Sequence, residues 1–397
     1  MRKIKMSSTS EKSLALHFEL GGKIETGIKK KIRNIEDLSL LYTPGVAEPC
    51  IVIGKDISLA KELTIKKNTV AVVSDGTAIL GLGNLGPEAA LPVMEGKAVL
   101  FKQLGGVDAF PLCIDAHDVD DIVKFVKQIA PTFGGINLED ISAPRCFEIE
   151  QRLREELDIP VMHDDQWGTA VVVLAGLINA LRLRHLNKEE VEIVVNGAGA
   201  AGIAITKLLL TYGFLNIVVV DTKGAIREGR SDLITPDEKN REKYLIAKKT
   251  NRFNESGTLS DIIGCKDIFI GVSAPNILTK EMVLRMNKDP LIFALSNPIP
   301  EILPDVALDA GAFIVATGSS KFPNQTNNCL VFPGVFRGVL DNGVKKITEE
   351  MLIRVAEAIA GMIKRPKKDK ILPISLDRKV PKVIAEAIKI YQEEHKQ

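Results

Sequence analysis

The chain has 397 residues, 45% hydrophobic and 26% charged, which is enough for two domains with separate cores and typical of a soluble globular protein. Its 52 basic and 51 acidic residues leave a net charge of +1, which argues against a nucleic acid or a membrane surface as the main partner. Cys50, Cys113, Cys146, Cys265 and Cys329 are scattered and never spaced C-x-x-C, so they read as reduced thiols of a cytoplasmic protein.

The first residues, MRKIKMSSTSEKS, are basic but lack an apolar signal core and soon meet Glu11, which leaves an organelle presequence as the minor alternative. No apolar run reaches membrane-spanning length. Residues 1–40 read as helix and loop, broken at Gly21-Gly22. In LYTPGVAEPC (41–50), Thr43-Pro44-Gly45 sets a tight bend and Pro49 is expected to stop any helix. Tyr42 beside the bend is a packed aromatic or a site phenol.

Four apolar runs follow, at 69–76, 107–116, 135–140 and 159–165, with helical patterns between them at 92–104, 119–130 and 145–157. Strands alternating with helices predict a parallel sheet. Each run ends in acid: Asp75, Asp115, Glu139 with Asp140, and Asp164 with Asp165. In open parallel sheets ligands bind beyond the carboxyl ends of the strands, so several carboxylates are expected at one edge. Crowded carboxylates repel unless solvated, protonated or bridged by a cation, and an all-oxygen set suits Mg²⁺ or Mn²⁺ rather than zinc. The competing reading of each acid is a helix cap. His163 reads as a neighbour of such a site rather than a ligand. Ser74-Asp75-Gly76 reads as a turn between two short strands, and GLGNLG (81–86) as a second loop that lets a backbone approach closely.

Residues 166–183 form a strongly apolar helix with Trp167 as a packing residue. The domain junction is placed near 164, giving an N-terminal unit 1–163 and a C-terminal unit 164–397. The second unit opens with VEIVVNGAGAAGIAITKLLL (191–210) and NIVVVD (216–221), which reads strand, glycine turn, helix, strand, acid. Gly197, Gly199 and Gly202 fit G-x-G-x-x-G, with Ala198, Ala200 and Ala201 between them. The first glycine permits the turn, the second lets a pyrophosphate approach, and the third packs helix on strand. The helix N-terminus offers free N–H groups to the phosphate. Asp221 stands where an acid can bind a ribose hydroxyl. Later strands are expected at 267–273, 291–298 and from 313, and C-terminal helices near 349–364 and 380–395, joined by a solvated basic connector at 364–373. The fold class is α/β: an N-terminal α/β domain with a mostly parallel sheet, then a Rossmann-type dinucleotide-binding domain.

Several ordered motifs, LYTPGVAEPC, VVSDGTAILGLGNLG, EGKAVLFK, INLEDISAPRCFEIE, MHDDQWGTA, NGAGAAG, LSNP and NQTNNCLVFPG, together resemble the malic enzyme family of the small bacterial type, from about Tyr42 to near the C-terminus. The resemblance implies oxidative decarboxylation of L-malate to pyruvate and CO₂ with NAD or NADP and Mg²⁺ or Mn²⁺, and a homodimer. It implies Tyr42 as general acid, Lys97 as general base, Glu139, Asp140 and Asp165 as metal ligands, and Asp164 as a neighbouring acid. It further implies Asn297 and Asn328 as substrate contacts, and the 197–202 turn as the nucleotide loop. Larger members carry an arginine that grips malate where this chain has Ala78, so another group must hold that carboxylate. The competing functions are a metal-independent 2-hydroxy-acid dehydrogenase and a noncatalytic nucleotide sensor.

Overall fold

The computed structural model describes residues 8–116, 118–237 and 239–395; the first seven residues of the basic N-terminus lie outside that set. Two parallel sheets organise the chain. The first holds β1 (Thr69–Ser74), β2 (Asp108–Cys113), β3 (Gly135–Leu138) and β4 (Val161–His163) in the order β2-β1-β3-β4, all parallel. The second holds β5 (Glu192–Asn196), β6 (Asn216–Asp221), β7 (Gly224–Ala225), β8 (Ile268–Gly271), β9 (Leu291–Ala294) and β10 (Ile314–Thr317) in the order β10-β9-β8-β5-β6-β7. Only the short β7 runs antiparallel, paired to β6. Central strands such as β1 (TVAVVS) are buried along their whole length, because helices cover both faces of a parallel sheet.

The helix Asp164–Arg184 leads directly from β4 into the second sheet. It is long and apolar enough to cross a membrane by length and composition, contrary to the expectation that no segment is, yet 78% of its apolar window is buried inside the protein. It is apolar all round because it packs on protein on every side. The halves also meet through aromatic rings: Phe101, on the helix Pro87–Gly105, lies 4.7 Å from Phe332 and 5.4 Å from Phe336 between ring centroids. A Cβ on Gly105 would come within 2.6 Å of the Pro333 carbonyl oxygen, so backbone meets backbone there.

Three local expectations are corrected. Pro49 does not stop a helix; it occupies the first turn of Ala47–Lys55, where a backbone N–H would have no intrahelical partner anyway. No second strand follows Ser74-Asp75-Gly76. The Asp75 carboxylate accepts from Thr77 N and Oγ1, Ala78 N donates to the Asp140 carbonyl, and the chain enters a 3-10 turn at Ile79–Gly81 along the sheet's edge. The helix expected from residue 92 begins at Pro87, whose fixed φ suits the first helical position, and so carries Pro92 in its interior.

Candidate active site

Lys97 is buried, at 6% exposure, on the inward face of Pro87–Gly105. Its Nζ forms ion pairs with Asp164 and Glu139 and lies 4.5 Å from the Phe332 ring centroid. Glu139 and Asp140 follow β3, while Asp164 and Asp165 follow β4 and open the long helix, where the partial positive charge of its N-terminus favours acids. Asp140 takes a left-handed conformation (φ 51°), and its N–H donates to Asp165 Oδ2 at 2.8 Å. His163 Nε2 lies 3.1 Å from Asp165 Oδ2. Thus the ends of two adjacent strands and one helix face bring four carboxylates around one ammonium.

Glu139, Asp140 and Asp165 each offer an oxygen within 4.8 Å of the others. Asp140 Oδ2 and Asp164 Oδ1 are buried without a hydrogen-bond partner. Orphaned buried carboxylate oxygens are costly, and a hard dication among them would satisfy them, so the donor set fits Mg²⁺ or Mn²⁺. The electrostatics agree. Burial, with Asp165 close by, pushes Asp140 up to about 7. Burial likewise lifts Asp164 to about 6 against the pull of Lys97, and raises Glu139 well above the usual carboxylate range. Burial also acts on Asp165, but there His163 outweighs it and lowers the pKa. Burial opposes a charge on Lys97, yet Asp164, Glu139 and Asp165 outweigh it and hold the ammonium above the usual lysine range. Burial alone therefore does not supply a neutral lysine.

The glycine turn follows β5. Gly197 has φ 120°, and a Cβ there would meet the Val272 carbonyl oxygen at 2.6 Å. Gly199 faces open space, and a Cβ on Gly202 would lie 1.7 Å from the Gly197 carbonyl oxygen. The three glycines thus divide into turn, open approach and helix packing. A cavity of about 410 Å³ opens over this turn, lined by Asn196, Gly197, Ala198, Gly199, Asp221 and, from the first half, Phe147 among others. Ala200 and Ala201 begin the helix Ala200–Tyr212 behind it. A larger cavity of about 630 Å³, between residues 320–325 and 362–375, is lined by none of the predicted site residues.

The other predicted residues fall in different places. A Cβ built on Gly168 would touch both Asp164 and the Asn328 Cβ, so Asn328 borders the cluster. Asn297 is exposed at the end of β9, and its carbonyl oxygen packs against Gly81 of the GLGNLG loop. Asp75 is not drawn into the cluster; Arg145 Nη2 donates to its Oδ2 at 2.7 Å. Tyr42 is 66% exposed, and its hydroxyl makes no hydrogen bond to a described residue. Sequence reading missed two buried acids. Glu150 accepts from His163 N, Gln166 Nε2 and Trp167 Nε1 at 2.9–3.0 Å and so braces both sides of the Asp164-Asp165 pair. Glu301 accepts from Ser273 N and Ser296 N, each at 3.0 Å, and ties the loops after β8 and β9 together.

Comparison with known proteins gives two matches to family models: "Malic enzyme, N-terminal domain" over residues 21–154 and "Malic enzyme, NAD binding domain" over residues 167–392. A bifunctional malic/malolactic enzyme of Bacillus subtilis is 55% identical over 383 residues, covering 96% of this chain and 92% of that protein. An NAD-dependent malic enzyme of Geobacillus stearothermophilus is 52% identical, covering 98% and 80%. An NADP-dependent malic enzyme of Escherichia coli is 48% identical, covering 87% of this chain and 45% of its own length. The crystal structure of an NAD-dependent malic enzyme from Thermotoga maritima superposes with a TM-score of 0.91 at 49% identity, covering 95% of this chain and 98% of that one.

Proposed function

The chain belongs to the malic enzyme family, and from that premise we propose that it oxidises and decarboxylates L-malate to pyruvate and CO₂ while reducing NAD or NADP. The observation that carries the site assignment is the buried Lys97 set among Glu139, Asp140, Asp164 and Asp165, with two carboxylate oxygens left unpartnered.

Glu139, Asp140 and Asp165 would hold Mg²⁺ or Mn²⁺, which would supply Lewis-acid stabilisation of negative charge developing on the substrate. Lys97 accepts the C2 hydroxyl proton as hydride leaves C2 for the nicotinamide. Its carboxylate neighbours Asp164, Glu139 and Asp165 hold it protonated, so neutralising their charge would favour the free amine. Asp164, held on the Lys97 ammonium, orients it and receives or returns its proton. Loss of the C4 carboxylate as CO₂ leaves a carbanion equivalent at C3, which Tyr42 protonates. Asn328, beside Asp164, and Asn297, whose carbonyl packs against Gly81 of the GLGNLG loop, orient the substrate. The turn Gly197–Gly202 holds the pyrophosphate.

The protein works as a homodimer in this reading. The segments Ser8–Leu20, Ile35–Leu41 and Ala47–Lys55 leave large apolar side chains such as Phe18, Ile35, Leu40 and Ile51 exposed, and Tyr42 stands on that same arm. An apolar surface this extended needs a partner, and a second copy supplies one.

The deciding assay follows nicotinamide reduction with L-malate, for NAD and NADP separately, with Mn²⁺ and with EDTA, while CO₂ and pyruvate are measured in the same tube. Metal-dependent reduction with matching CO₂ and pyruvate is the expected result. Reduction that survives EDTA and yields oxaloacetate would overturn the metal site and the decarboxylation.

A further inference from the structure

The acid at the end of β6 is not free to do the work usually given to it. The Asp221 side chain is buried, 5% exposed, and both of its oxygens are occupied. Oδ1 accepts from Lys223 N at 2.9 Å and Arg230 Nη1 at 2.8 Å. Oδ2 accepts from Arg230 Nη2 at 2.9 Å and Lys243 Nζ at 2.7 Å. A carboxylate has about four acceptor positions, and here four donors fill them. The pKa accords: against the burial that would raise it, Arg230 and Lys243 hold Asp221 down to about 2. A ribose 2′-hydroxyl that needs this carboxylate as acceptor finds no vacant position.

The two cations differ in how many acceptors hold them. Arg230 is clamped: besides Asp221 it donates to Asp232 Oδ1 at 2.8 Å and to the Gly224 carbonyl at 3.1 Å, and it is 9% exposed. Lys243 has Asp221 as its hydrogen-bond acceptor, is 32% exposed, and lines the cavity over the glycine turn. An ammonium carries three donors, so two remain to be turned toward a ligand. Lys239 lines the same cavity. A doubly charged phosphate on the ribose 2′-oxygen would draw Lys243 and Lys239, while Arg230 keeps Asp221 neutralised and limits its repulsion of the phosphate. An unphosphorylated ribose must instead displace Lys243 to reach its acceptor.

Resting on the nucleotide-site reading above, we propose that Lys243 makes the adenosine end of the cofactor site selective for a 2′-phosphate, so that NADP is preferred over NAD. The test is calorimetric titration of the whole protein with 5′-AMP and with adenosine 2′,5′-bisphosphate, which differ only by the 2′-phosphate. For the wild type the bisphosphate is expected to bind at least tenfold more tightly. In Lys243→Ala that advantage falls to threefold or less, and in Lys243→Arg, which keeps the charge, it persists. Equal binding of both probes to the wild type, or a tenfold advantage that survives Lys243→Ala, would overturn the inference and leave the nucleotide site standing. Equal weakening of both probes in Lys243→Ala, with a lowered melting temperature, would also overturn it, since Lys243 would then be only a structural partner of Asp221. If neither probe binds a folded wild type, the nucleotide reading fails and takes the inference with it.

Discussion

Lys97 illustrates what one side chain can carry when its surroundings are decided elsewhere. On its helix the buried positions are Ala90, Met94, Lys97, Ala98, Phe101 and Gly105, so the lysine sits within the apolar stripe. A cation in that stripe must find anions or lose its proton, because an unpaired buried charge is prohibitively costly. Here Glu139 and Asp164 answer it. Glu150 shows the same pattern, lying in the stripe Cys146, Ile149, Glu150, Leu153 of the helix Arg145–Glu156, where it is satisfied by three donors. Lys97→Met keeps the stem and removes the proton acceptor, so kcat should fall by roughly 10²- to 10⁴-fold, the usual range for loss of a general base. Binding of 5′-AMP should be retained. Steady-state kinetics beside calorimetry check this, and a kcat within tenfold of wild type would remove Lys97 from its role.

Among elements, the turn between β5 and Ala200–Tyr212 has the least tolerance. The helix is drawn against the strand so closely that a methyl group on Gly202 would sit 1.7 Å from the Gly197 carbonyl oxygen, well inside any real contact, and the atom it meets is backbone. Gly202→Ala should therefore push the helix away from the turn, cost on the order of 2–3 kcal/mol of stability, and weaken dinucleotide binding at least a hundredfold. Chemical denaturation and nucleotide titration read the two effects separately. Unchanged stability and binding would show that the helix does not pack as described. These glycines were legible in sequence because each of their roles is local: one turn, one open approach and one close contact within six residues.

The whole molecule leaves an apolar arm uncovered. Among the described residues, the four α-helices before β1 contribute no buried hydrophobic side chain to the core, although Phe18, Ile35, Leu40 and Ile57 belong to them or their flanks. Covering that surface with a second copy removes the penalty of leaving it in water. The wild-type protein should sediment as a dimer at micromolar concentration, and Ile35→Asp combined with Leu40→Asp should shift it toward monomer and lower malate turnover. A monomeric wild type in analytical ultracentrifugation would sink the proposal.

The order of strands and helices, the glycine turn and the acids at strand ends were written in the sequence, since periodicity, turn chemistry and strand-end position are properties of short windows. What lay beyond it were pairings over long separations. Lys97 meets Asp164 from 67 residues away, and Asp75 goes to Arg145 instead of joining the other acids. Lys243 closes on Asp221 from a helix 22 residues downstream and fills the acceptor that the local motif left for a ribose. Local patterns place a charged group on a face of the fold, but which partner neutralises it depends on how the two sheets and their helices pack. A buried charge takes its chemistry from that partner.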